Sequence, residues 1–460
     1  MTASLHTADL LLSLNGPGDD AVAAGAVLVD RGRIATVGPA ARLAAEYPGA
    51  ARVDHGDAWL LPGLHNGHGH VAGWPPDAPL EVFLLARYGA EDEQRTYDRT
   101  LATAADLIRS GVVRTHHLHY GGGEDAAIRA YRDAGLRVEF CPGALDRYSV
   151  VPYDDGDRRL LAALPPDLAD EVRRRRPGKP TEPVARHLER WRALRERWSG
   201  DDGVEVVLGP DNPQWCTDAC LLALRELGAP LHLHCQETAA QRAFAVAADG
   251  ESPVARLARL GILGPDVTLA HLTHASDDDI AAVAAAGARV VWNPASNLRL
   301  GSGVTRVRDL AAVGVPLGLG VDGGGFADDG DLLAEVRLGA LLQRVADTDA
   351  PPLANRDVLT MAAGRLAPGQ AADLVAIDPL GNGDPVDAIV RRASARHVRA
   401  VYQGGEPLLT DGVLRRIPDD PPGPAPDGPA PGAALAARLD PFVRRALAAA
   451  RPRMDAATRG

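Results

Sequence analysis

The stretch Leu60-Leu61-Pro62-Gly63-Leu64-His65-Asn66-Gly67-His68-Gly69-His70 ends an apolar run in two histidines spaced two apart. In an extended strand His68 and His70 point to the same face, so both imidazoles can converge on one metal ion. That is half a metal site. In a chain with 14 histidines, one buried and one exposed ring is an equal alternative. The missing donors come later, each closing an apolar strand. Leu231-His232-Leu233-His234-Cys235-Gln236-Glu237 puts His232 and His234 on one face, with His234 nearer the carboxyl end. His234 is therefore the third expected ligand, and His232, one layer deeper, is expected to be a hydrogen-bonded core histidine. Glu237 falls where strand gives way to loop, so its carboxylate can turn over the metal without ligating it. Ala270-His271 and Val321-Asp322 end two further apolar strands, the second followed by Gly323-Gly324-Gly325. Singly, His271 could start a helix and Asp322 could cap one. Together, four strands offer imidazole or carboxylate at the one end where a barrel does chemistry.

The elements that must position these residues alternate. Short apolar strands begin at Leu60, Val112, Val138, Val204, Leu231, Val267, Ala288 and Leu317, separated by Ala/Leu/Arg segments of helical period. Eight such strands predict an α/β fold, a (β/α)8 TIM-like barrel over 59–365. Strand-like segments at Ala8–Leu14, Ala26–Val29 and Arg33–Val37 find partners at Ala372–Ile377 and Val398–Tyr402. Residues 1–58 and 366–415 are thus expected to form a small β-sandwich domain built from both chain ends. Residues 151–200 read as a helical insertion whose Arg173-Arg174-Arg175-Arg176 run is a solvated helix end. The remainder, 416–460, reads as a proline-rich linker and a last helix, about Ala433–Arg451, packed on the body or on a second subunit. A homodimer or higher homo-oligomer is expected.

A chain of 460 residues with 46% hydrophobic content can bury a large core. No apolar run reaches the ~18 residues a bilayer span needs, and no basic segment precedes the apolar start, so no membrane association and a cytoplasmic location are expected. Cys141, Cys216, Cys220 and Cys235 lack metal-type pairing and read as reduced thiols. A net charge of -12 disfavours nucleic acid and suits a small neutral or cationic substrate.

At this point the chain resembles a known group. The proline-glycine-leucine and HxH pattern at 62–70, His234 with Glu237, His271, Asn293-Pro294-Ala295-Ser296-Asn297-Leu298-Arg299-Leu300, Asp322-Gly323 and Leu366-Ala367-Pro368-Gly369-Gln370-Ala371-Ala372-Asp373-Leu374 look like the amidohydrolase superfamily. The resemblance covers most of residues 5–415 and is closest to the mononuclear branch of cytosine, guanine and S-adenosylhomocysteine deaminases and triazine hydrolases. It implies that His68, His70, His234 and Asp322 hold one divalent metal, zinc in most members and iron in some. It also implies that Glu237 and His271 act on protons and on the substrate ring or carbonyl. Binuclear members use a carboxylated lysine at the end of strand four, but here that strand ends Leu208-Gly209-Pro210-Asp211, and the sole lysine, Lys179, sits in an arginine-rich stretch. A single metal follows. One departure is visible: a helical segment normal in the family between the matches to Met361-Ala362-Ala363 and Leu366 is nearly absent, which puts closure of the barrel there in question.

The chemistry so implied is hydrolytic deamination of an amino-substituted nitrogen heterocycle, a purine, pterin, pyrimidine or triazine. Hydrolysis of a cyclic amide or dehalogenation of a triazine is the alternative. An open position on such a metal lowers the pKa of a water from ~16 toward ~7. Asp322 would take the water's proton, His271 would polarise or orient the electrophile, and Glu237 would pass protons to the ring and the departing amine. Trp74, Arg147, Gln214 and Trp215, after strands one, three and four, are candidate substrate contacts.

Overall fold

In a computed structural model of the chain, residues 3–16, 21–71, 78–86, 92–147, 157–175, 183–200, 203–323, 330–345, 348–418 and 433–459 are described. Strands from both chain ends hydrogen-bond into one nine-stranded sheet. Ser4–Leu12, Ala21–Asp30 and Arg33–Pro39 come from the first end, and Leu374–Ile377, Val398–Gln403 and Glu406–Thr410 from the last. Their apolar faces share a core that includes Leu11, Val27, Ile34, Leu366, Leu374 and Tyr402. Trp59–Pro62, expected as the first barrel strand, belongs to this sheet instead. It runs parallel to Ser4–Leu12 and antiparallel to Leu374–Ile377. Being apolar on both sides of Leu60-Leu61, it suits a central sheet position as well as a barrel wall, and periodicity cannot separate the two.

The barrel strands begin at Leu64. Leu64–Asn66, Val112–His119, Arg137–Ala144 and Val204–Val206 pair in parallel as strands one to four. Leu231–Cys235, Val267–His271, Arg289–Trp292 and Leu317–Leu319 do so as strands five to eight. The two arcs join where Leu208 bridges Leu231 and where Asp322-Gly323 pairs with Gly69-His70. Both links lie just past the strands, Leu208 after Val204–Val206 and Asp322-Gly323 after Leu317–Leu319, and Asn355–Ala362 supplies a short final helix beyond strand eight. Gly320 is needed at this seam. A Cβ there would lie 2.5 Å from Asn293 Oδ1 and 2.7 Å from the His68 carbonyl oxygen.

Several of the helices start on side-chain caps. Thr217, Thr238, Ser252, Ser276 and Asp331 each accept a backbone N–H of the turn that follows. The insertion supplies Asp157–Ala163, Pro166–Arg175 and Val184–Trp198, with Arg173 exposed and paired to Asp170, as expected of a solvated helix end. The last helix runs from Ala433 to Arg459, longer than its apolar periodicity predicts, and packs on its own chain. Its Leu435, Leu439 and Val443 share a core with Leu80, Leu85, Leu164, Val172 and Trp215.

Candidate active site

Strand one carries His68 and His70, strand five His234, strand six His271 and strand eight Asp322, and the structure brings all five together. His70 Nε2 lies 3.3 Å from Asp322 Oδ1 and 3.1 Å from His234 Nε2, and His68 Nε2 lies 3.7 Å from Asp322 Oδ1. His271 Nε2 is 3.8 Å from Asp322 Oδ2 and 4.0 Å from Glu237 Oε2. Ligand-type atoms of His68, His70 and Asp322 fall within 4.8 Å of one another, as do those of His68, His234 and His271. His271 is therefore as close to the imidazole cluster as the expected ligands are.

The backbone is bent to do this. Gln236, His271, Leu272 and Asp322, all non-glycine, have φ of 49°, 72°, 47° and 59°. Such conformations cost roughly 1–3 kcal/mol each and collect at functional sites. Each ring is also fixed from behind. His70 Nδ1–H donates to the Leu118 carbonyl at 2.6 Å, and His234 Nδ1–H to the Asp211 carbonyl at 2.8 Å. The Tyr120 hydroxyl donates to Asp211 Oδ1 at 2.9 Å. His271 Nδ1 lies 2.8 Å from Asn297 Oδ1, and Ser296 Oγ donates to Asp322 Oδ2 at 2.5 Å, leaving Oδ1 toward His68 and His70.

Burial shapes the charges. The His68 ring is held neutral, its pKa driven well below 6.5 by burial and by neighbouring histidines. At His234 burial also opposes the charged ring, but the Asp211 carboxylate outweighs it and the pKa rises. Burial raises Glu237 against the pull of His271, with Asp322 adding to the rise. Two site atoms, His68 Nε2 and His271 Nε2, are buried without any hydrogen-bond partner. An unpaired buried polar atom costs about 1–3 kcal/mol. Imidazoles plus a carboxylate, with an orphaned nitrogen aimed among them, fit a divalent cation.

Other expected residues fare differently. His232 is buried one layer below and meets His68, as a core histidine should. On strand two His116 faces inward onto His232, while His117 and His119 turn outward together onto Phe140. Arg147 is not brought to the cluster. Its guanidinium is bound by Asp249 at 2.8 and 2.5 Å and by the Gln214 carbonyl at 2.7 Å. Trp215 is core, packed with the last helix, whereas Gln214 is fully buried with neither amide atom paired. Trp74 and Lys179 lie outside the described residues.

Sequence reasoning missed Glu81. This carboxyl is buried, accepts the Thr238 hydroxyl at 2.9 Å, and lies near enough to feel the charge of Glu237. Its signal was a single acid inside the apolar run Leu80-Glu81-Val82-Phe83-Leu84-Leu85. Asp211, Tyr120 and Gln241 were missed too. Gln241 Oε1 accepts the Glu237 backbone N–H at 2.9 Å, and its amide reaches Glu237 Oε2 at 3.5 Å.

This strand-end cluster on a (β/α)8 ring defines a metal-dependent hydrolase, and residues 59–408 match the amidohydrolase family. The chain belongs to that family. Residues 25–50 also match an imidazolonepropionase-like composite domain of bacteria. A 5-methylthioadenosine/S-adenosylhomocysteine deaminase of Moorella thermoacetica is 27% identical over 88% of this chain and 94% of its own length. A 5'-deoxyadenosine deaminase of Methanothermobacter thermautotrophicus is 30% identical over 85% of this chain and 90% of its own. Among solved structures, a zinc-bound adenosine deaminase from Xanthomonas campestris superposes with a TM-score of 0.78, covering 97% of this chain and 99% of that one at 24% identity.

Proposed function

We propose that this chain deaminates an aminopurine of the adenosine type by hydrolysis, releasing ammonia, with one zinc ion held by His68, His70, His234 and Asp322. The observation that carries the reading is Glu237, a buried carboxyl with a raised pKa set beside His271 and the ligand cluster. A metal in the cluster supplies a Lewis acid and a nucleophilic oxygen at neutral pH. Asp322, with one oxygen tied to Ser296, accepts the proton of the attacking water. His271, if its Nδ1–H goes to Asn297, turns a lone pair on Nε2 toward the reacting atoms and orients the water or a ring N–H. Glu237, whose burial favours the protonated form, gives its proton to a ring nitrogen, passes to the leaving amine the proton that Asp322 took from the water, and regains its own from the new hydroxyl as the carbonyl forms. Gln241 holds Glu237 in place for these transfers. The names of the relatives support an adenosine-type substrate, and four buried cysteines without disulfides are consistent with a reducing cytoplasm.

The test couples metal analysis to ammonia release across adenosine, 5'-deoxyadenosine, 5'-methylthioadenosine, guanine, pterins, pyrimidines and triazines. Stoichiometric zinc and ammonia from the adenosine set are expected. Ring opening or chloride release without ammonia would replace deamination with the cyclic-amide or triazine alternative.

A further inference from the structure

We propose that His232 is a positioning residue which decides where the ring proton of His68 sits, and thereby how tightly the site holds its metal. This rests on the ligand role proposed for His68. The rings of His70 and His234 are each backed by a main-chain carbonyl. A carbonyl only accepts, so Nδ1 of those rings carries hydrogen and each ring, when neutral, presents the Nε2 lone pair to the site. His68 is backed differently. Its Nδ1 lies 2.7 Å from His232 Nε2, with both rings fully buried, nearly coplanar at 16° and edge to edge, their centres 5.0 Å apart. An imidazole can donate or accept, so the shared hydrogen has two positions.

In the first, His232 Nε2–H donates to His68 Nδ1. The remaining hydrogen of His68 is then on Nε2, facing the Asp322 carboxylate oxygen 3.7 Å away. That contact favours the arrangement without a cation, but it blocks ligation. In the second, His68 Nδ1–H donates to His232 Nε2, and His68 Nε2 is free for the metal. His232, still neutral, must then carry its hydrogen on Nδ1. That atom is buried and unpaired. The His116 ring covers it at 4.5 Å and 19°, with its own Nδ1 also unpaired and its Nε2 engaged by the Glu139 carboxylate.

Loading the site therefore requires a defined exchange. The Nε2 proton of His68 leaves to solvent, the shared proton passes from His232 Nε2 to His68 Nδ1, and one proton is taken up on His232 Nδ1. Two ring hydrogens are present before and after. The geometry makes His232 the acceptor without which His68 Nδ1–H would itself be orphaned, and losing such an outer partner typically costs ~10–100-fold in metal affinity.

The test compares full-length wild type, His232→Phe and His232→Gln. Phenylalanine keeps a flat buried ring and removes the acceptor, and glutamine restores an acceptor oxygen. Zinc affinity by competition with a chelating dye should fall ~10–100-fold for phenylalanine and return to within a few-fold of wild type for glutamine. In wild type, nitrogen NMR of labelled histidines, with His232 assigned from the glutamine variant, should show His232 Nδ1 gaining hydrogen when zinc is added to chelated enzyme. Wild-type affinity in the phenylalanine variant, or a His232 Nδ1 that carries hydrogen in both states, would overturn the inference. If the phenylalanine variant fails to fold, the wild-type spectra still decide. A His68→Ala variant that keeps its zinc would instead overturn the ligand assignment and the proposed function with it.

Discussion

Glu81 is a buried carboxyl that the proposed chemistry leaves unused, and its cost to the fold can be measured. Burial pushes its pKa from an ordinary 4.5 up to about 7. The folded state thus binds this proton more tightly than the unfolded chain does. Stability from this group is full below about pH 4.5 and is lost as pH rises through about 7. At roughly 1.4 kcal/mol for each tenfold change in proton affinity, the whole loss is about 3 kcal/mol, of which about 2 kcal/mol falls between pH 5.5 and 8. Glu81→Gln keeps an oxygen for the Thr238 hydroxyl and abolishes the titration. Urea unfolding of metal-loaded wild type and variant at both pH values isolates the term, because every other titrating group is common to the two proteins. The variant's stability should fall less between pH 5.5 and 8, by about 2 kcal/mol. Equal falls in the two proteins would refute the reasoning and show that Glu81 is ionised in the folded state at pH 5.5, stabilised by contacts that outweigh its burial.

Three further outcomes follow from the site and its supports. Glu237→Gln should keep near-stoichiometric metal while turnover drops by roughly two or more orders of magnitude, and metal loss would mark Glu237 as a ligand. Asp322→Asn should weaken metal retention and stay far less active even in excess zinc, whereas Asp328→Asn, six residues on in the same acidic stretch, should change little. Plasma mass spectrometry alongside turnover checks both. Leu439→Ala, which empties a fully buried position under the last helix, should cost about 2–5 kcal/mol in urea unfolding with zinc content unchanged.

What the sequence makes legible is local. His68 with His70, and His234 with Glu237, are read from spacing along one strand, and the apolar runs before them say which end of the strand they occupy. Glu81, Asp211 and Tyr120 join the site through contacts that no single segment encodes. The Thr238–Glu81 hydrogen bond spans 157 positions and the His68–His232 pair spans 164. Trp59–Pro62 misleads for the same reason. Its pattern fits burial on two faces, and only its partners, Ser4–Leu12 and Leu374–Ile377, decide which sheet it joins. Arg147 shows the opposite failure: a cation well placed by topology whose charge is already matched by Asp249.

The site divides into two mechanically different parts. His68, His70, His271 and Asp322 lie at or beside strand ends joined directly by the ring, where Asp322 pairs with Gly69 and Cys235 with His271. Glu237 lies just beyond, and its position depends on helices. Its neighbour Gln236 accepts from Arg242 at 2.8 Å, and Arg242 is held by buried Asp279 and by the Ala457 carbonyl of the last helix at 2.6 Å. Its other neighbour, Thr238, is held by Glu81, on a helix whose apolar side the last helix covers. The clustered imidazoles and Asp322 are therefore placed by the barrel, while the placement of Glu237 is set partly by the last helix. This separation is why a disturbance of the last helix should reach turnover before it reaches the metal.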